Sequence, residues 1–136
     1  MNTILLLAFL AAADPIGCPK TIQVKEQLAA PVTGWTAASD GMPHQLAGLT
    51  FFDGKPEEKA SLAPDGQATQ HSETISTWKF DKTRPTWVMC HYSGTSVTLA
   101  RELPRNISAC TIAYARGVTI AGLPVIDKIE CNAGGR

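Results

Sequence analysis

The amino-acid sequence predicts an all-β or β-rich domain, an antiparallel sandwich or partly open barrel held by two disulfides. Three observations carry that expectation. Short runs of alternating or β-branched apolar residues recur along the chain, the pattern of half-buried strands. Between them stand Asp40-Gly41, Asp53-Gly54, Pro64-Asp65-Gly66, Ser93-Gly94 and Arg116-Gly117, each offering a residue that accepts positive φ in a turn. Four cysteines, an even number, follow an apolar N-terminal run of the kind that directs export. With 136 residues, 44% hydrophobic and 18% charged, the chain has room for one domain with a buried core.

The elements follow in chain order. Ile4 to Ala13 (ILLLAFLAAA) is ten apolar residues long, half of what a membrane-spanning helix needs and suited to the hydrophobic region of a signal peptide. Ala11 and Ala13 supply a small-x-small cleavage pattern, and Asp14-Pro15 stops the helix. Residues 1–13 are therefore read as a signal peptide and 14–136 as a single mature domain, periplasmic or secreted, with no transmembrane segment. Met1-Asn2-Thr3 has no Lys or Arg, so a buried first element and a lipobox ending at Gly17-Cys18 are the competing readings.

Strands are expected at Thr21–Lys25, Leu49–Phe52 and Thr77–Phe80. Thr86–Tyr92 and Ser96–Leu103 form a hairpin across Ser93-Gly94-Thr95. Val97, Leu99 and Leu103 share the inward face of its second arm, with Arg101 as the exception. A second hairpin joins Ala109–Ala115 to Val118–Ile120 across Arg116-Gly117, and Val125–Cys131 closes the chain. Pro56 to Leu62 reads as two helical turns, with proline in the first turn and acids near the N-terminus. Asp65 to Ser76 (DGQATQHSETIS) is polar with Ile75 as its one large aliphatic residue, and reads as a long surface loop.

Cys18, Cys90, Cys110 and Cys131 are separated by 72, 20 and 21 residues, with no Cys-x-x-Cys. That spacing disfavours a zinc ribbon or thioredoxin-like site. Three pairings are open to four cysteines; the preferred one is Cys90–Cys110 with Cys18–Cys131 tying the mature termini.

Charge and motifs narrow the function. Twelve basic and twelve acidic residues balance, which argues against nucleic acid or anionic lipid as a general partner. The chain has no Gly-x-Ser-x-Gly, no Gly-x-Gly-x-x-Gly and no Walker pattern. Cys90 and His91, as neighbours in a strand, point to opposite faces and do not make a nucleophile–base pair. Glu57-Glu58, the one adjacent pair of acids, sits beside lysines in a solvated turn. No enzyme and no cofactor are expected. One soft-metal constellation is the alternative: Met42-Pro43-His44 and Met89-Cys90-His91 both read Met-x-His, a thioether–imidazole set suited to Cu(I). Trp87, Met89 and His91 fall on one strand face, although such residues usually serve packing. Trp78 and Trp87 are read as core, and Trp35, after Pro31-Val32-Thr33-Gly34, as an anchor for a partner.

Cys18-Pro19-x-x-Ile22, Gly34-Trp35, Leu49–Gly54 (LTFFDG), Leu62-x-Pro64, Trp78, Trp87-x-x-Cys90-x-Tyr92, Cys110 and Cys131 together resemble a small family of uncharacterised exported bacterial proteins. The resemblance implies a disulfide-pinned β-fold and no catalytic group. Some of its members lie among genes for contact-dependent secretion of toxins, and that association implies an envelope immunity protein. The expectation is thus an exported, non-enzymatic protein-binding domain, an inhibitor or immunity protein against an exported hydrolase or toxin. Its partner is a protein of the cell envelope. The partner-binding residues expected are Trp35 with Gln67, Gln70, His71 and Glu73 of the polar segment.

Overall fold

The computed structural model describes residues 16–71, 73–120 and 122–133; the expected signal peptide, residues 1–13, lies outside them. The chain runs through β1 (Thr21–Ile22), β2 (His44–Asp53), a 3-10 turn (Pro56–Glu58), β3 (Ser61–Leu62), β4 (Gly66–Gln70) and β5 (Glu73–Lys79). It continues through β6 (Thr86–Tyr92), β7 (Thr98–Glu102), β8 (Ile107–Ile120) and β9 (Leu123–Ala133). Two sheets result. In one the order is β1-β2-β6-β7, with β3 also on β2; in the other it is β4-β5-β8-β9. Neighbouring strands are antiparallel throughout.

Strand alternation sets the core. Phe51 opposite Val88, and Leu49 opposite Cys90, face inward from the first sheet. Trp78 opposite Cys110, and Ser76 opposite Ile112, face inward from the second. Phe51, Val88, Cys110 and Ile112 are at most 1% exposed, and Ile16 joins them from the N-terminal segment. The Phe51 ring packs at 5.2 Å from Trp78 and 5.1 Å from Phe80, both tilted, the arrangement that aromatic quadrupoles favour. The Trp78 indole N–H donates to the Leu62 carbonyl at 3.1 Å, so the largest core side chain buries no unpaired donor.

Both disulfides differ from the preferred pairing. Cys18 joins Cys90, and Cys110 joins Cys131. Cys110 and Cys131 are direct cross-strand partners on β8 and β9, with Cα atoms 4.1 Å apart, whereas Cys90 and Cys110 belong to different sheets. Cys18 ties the N-terminal segment to β6, where the Tyr92 hydroxyl also donates to the Pro19 carbonyl at 2.9 Å.

Four local expectations are corrected. The polar segment 65–76 is no loop, because β4 and β5 pair without interruption as a hairpin; its threonines and Ile75 suit a strand as well as its glutamines suit solvent. The 56–62 segment makes a single 3-10 turn, ended by Lys59 at φ 59, before entering β3. Arg116-Gly117 does not turn the chain: β8 continues to Ile120, and Gly117, at φ 72, lies in a register shift between Ala115 and Thr119. In β7, Leu99 lies opposite Cys90, on the inward face expected for it, yet Val97 and Leu99 are 41% and 38% exposed and, of the three residues expected inward, only Leu103 is buried. The edge position explains this, since the opposing sheet does not reach over β7.

Candidate functional site

Two exposed regions carry the residues expected to bind a partner. The first is the stretch from 25 to 43, in which every residue is exposed and none belongs to a helix or strand. A span this long without regular structure is unusual in a compact domain and is most often functional. It displays Leu28, Val32, Trp35 and Met42, with Trp35 80% exposed. The Trp35 amide donates to the Val32 carbonyl at 3.1 Å, and Gly34 takes φ 84, a left-handed conformation that glycine adopts without steric cost. That turn brings the indole alongside Leu28, Val32 and Ala37 around a shallow groove. Trp35 therefore stands as an exposed aromatic on a locally defined turn, as an anchor requires.

The second region is the β4–β5 hairpin. Gln67 and Gln70 lie on β4, His71 in the turn at φ 48, and Glu73 at the start of β5. The Gln67 amide donates to the Ser76 hydroxyl at 3.2 Å, and Arg116 donates to the His71 carbonyl at 3.2 Å, bracing the turn from β8. A hydrogen bond with Asp127 raises the Glu73 carboxyl above its ordinary pKa. The structure thus places four of the five expected residues on one hairpin, and Trp35 on a separate segment.

Beside the hairpin runs a groove of about 560 Å³. Its floor is Gln67, Thr74, Ser76, Trp78 and Tyr114, and its far wall is Val118 and Pro124 from the β8–β9 hairpin. Burial pushes the Tyr114 phenol pKa up. Val118, Ile120 and Leu123, exposed at 53%, 37% and 47%, belong to the same β8–β9 end. The sequence reading missed this feature because it placed a turn at Arg116-Gly117; the apolar alternation of Val118 and Ile120 beyond that glycine was the available signal.

The Met-x-His residues are employed separately. Trp87, Met89 and His91 do share a strand face, opposite Phe52, Thr50 and Gly48. That face is the outer one, so Trp87 is half-buried there rather than central to the core, and its indole N–H has no partner among the described residues. His91 Nε2 lies 2.7 Å from the Thr50 hydroxyl, and burial lowers the imidazole pKa. His44 Nδ1 lies 2.8 Å from the Ser93 carbonyl, with Nε2 at 3.9 Å from Glu26. Met42 is 63% exposed. Among the described residues no three His, Cys, Asp or Glu side chains converge to hold a metal.

Residues 39–132, spanning both sheets from just before β2 to near the end of β9, match the type VI secretion system Tli immunity protein family. The chain belongs to that family. An uncharacterised 16.3 kDa protein of Azospirillum brasilense, described as lying in the trpG 5' region, is 30% identical over 150 residues, covering 97% of this chain and 99% of the relative. No solved structure matches. As a member of the Tli immunity family the chain is an inhibitor directed against a toxin, and its partner is that toxin. Leu28, Val32 and Trp35 precede the matched span, whereas the β4–β5 hairpin and its groove lie within it. Among the described residues no helix is long and apolar enough to cross a membrane.

Proposed function

We propose that this immunity protein is exported through cleavage after Ala13, works in the periplasm, and neutralises an exported hydrolase or toxin by stoichiometric binding, without catalysis of its own. Membership of the Tli immunity family carries the reading. The four paired cysteines support the compartment, because disulfides persist where the environment is oxidising. Rigid strands and a braced hairpin support the mode of action, since preordered surfaces lose little entropy on docking. Trp35, Gln67, Gln70, His71 and Glu73 are the contact residues proposed.

The test is protection. Cells in which the toxin is directed to the periplasm are to be rescued by the full chain, and not by residues 14–136 retained in the cytoplasm. The purified protective chain is to begin at Asp14 by mass and to form a complex of fixed stoichiometry with the toxin. Equal rescue by the cytoplasmic form would refute the compartment. Protection without a complex would refute inhibition by binding.

A further inference from the structure

β4 is the terminal strand of its sheet, with β5 on one side and no strand on the other among the described residues. Its five residues, Gly66 to Gln70, are all exposed, and none is charged. Such an edge presents a row of unpaired backbone donors and acceptors, which proteins usually blunt with lysine, proline or a bulge. β4 has none of these: its register with β5 is unbroken over all five residues. Two other long edges are guarded, whereas β1 and β3 are only two residues each. β9 carries Asp127, Lys128 and Glu130, and its register with β8 shifts three times. β7 carries Arg101 and Glu102.

Strand parity adds a second observation. Gln67 and Thr69 lie opposite Ser76 and Thr74, which lie opposite Ile112 and Tyr114. All of these share the core face with Trp78 and Cys110. The opposing sheet covers that face at Cys110 and Ile112, which are 1% and 0% exposed, but not toward the hairpin end, where Thr69 and Val118 are exposed. The groove is this uncovered stretch of the inner face, and β4 is its rim.

We infer that β4 is the docking strand for the toxin: an extended segment of the toxin adds to its edge and places alternate apolar side chains in the groove over Trp78, Tyr114 and Val118. This rests on the inhibitor reading above. Strand addition draws affinity from main-chain hydrogen bonds and selectivity from pockets for alternate side chains, and here edge and pocket adjoin. A second copy of the chain fits less well. Pairing β4 with β4 of another copy covers a strip about 17 Å long and 10 Å thick, on the order of 200 Å² per copy, against about 800 Å² per partner in a stable interface. Its two-fold axis would stand normal to the sheet, so both grooves would face the same way and stay open. The charge of the groove also selects its occupant. Arg116 is the one charged residue in an otherwise apolar and neutral lining, which excludes a basic segment and fits an uncharged, apolar one.

The probe is the purified toxin that the wild-type chain neutralises. Thr69→Lys aims a charge into the groove from the docking edge; Ala68→Lys adds the same charge on the opposite face. Thr69→Lys is expected to weaken toxin binding at least tenfold by calorimetry, and Ala68→Lys less than twofold, with both variants melting as the wild type does. Hydrogen exchange of the wild-type complex is expected to slow amides within 66–70. Equal effects of the two lysines, or unchanged exchange in β4, would overturn the inference while leaving inhibition standing. So would a self-associated free chain that Thr69→Lys renders monomeric. A wild-type chain that neither binds nor neutralises the toxin would refute the inhibitor reading, and this inference with it.

Discussion

Replacing Cys18 and Cys90 together by alanine probes the pairing most directly. In the chain-entropy account, a cross-link stabilises by restricting the unfolded ensemble, and the gain grows with the loop it closes. Cys18–Cys90 spans 72 residues and Cys110–Cys131 spans 21. The same relation assigns about 4.4 kcal/mol to the first bridge and about 3.3 kcal/mol to the second. Each double variant removes two sulfur atoms, so packing losses are comparable and the difference reports the loops. Detachment of the N-terminal segment would also release Ile16, fully buried in the core, and enlarge the first loss. Against a usual total stability of about 5–15 kcal/mol, Cys18→Ala/Cys90→Ala is expected to be the more damaged pair. The assay is urea unfolding followed by tryptophan fluorescence, with peptide mapping under non-reducing conditions. A smaller loss for this pair than for Cys110→Ala/Cys131→Ala, or a peptide linking Cys90 to Cys110, would refute the reasoning.

Three further outcomes are expected. Phe51→Ala removes a fully buried ring packed on Trp78 and Phe80 and should cost about 3–5 kcal/mol in urea unfolding. Trp35→Ala should change stability by no more than about 0.5 kcal/mol, given its 80% exposure, while weakening toxin binding at least tenfold by calorimetry. For His91, burial lowers the pKa in the folded state, so the unfolded chain binds the proton more readily; stability is full above the unfolded value near 6.5 and falls as pH drops from there toward the folded value. His91→Gln should lessen the acid-side fall in melting temperature between about pH 7 and 5, these bounds bracketing the ordinary imidazole value.

Fold class was legible in the residues because it depends on near-neighbour chemistry. Alternation at Thr86–Tyr92 placed Val88, Cys90 and Tyr92 on one face and Trp87, Met89 and His91 on the other, and the β2–β6 register agrees. The immunity role was reached through resemblance rather than through any catalytic or ligand-binding pattern. Local chemistry misled where two neighbours' preferences competed. Asp65–Ser76 is polar enough for a loop, yet β4 and β5 pair with each other as a hairpin and β5 pairs in turn with β8. Arg116-Gly117 has the composition of a turn, yet glycine at positive φ serves equally well in a shifted register within a strand.

The remaining features depended on which distant segments meet. Sequence separation favoured Cys90 with Cys110, but a disulfide forms between neighbours in space, and those residues lie in different sheets. Periodicity gave Leu99 and Trp87 a face without saying whether anything covers it: one lies on an edge strand, the other on an outer surface. The groove beside β4 likewise exists because one sheet extends farther than the other, a mismatch between strands far apart in the chain. Alternation assigns a side chain to a face of its own strand; whether that face is core, groove or solvent is set by the extent of the sheet packed against it.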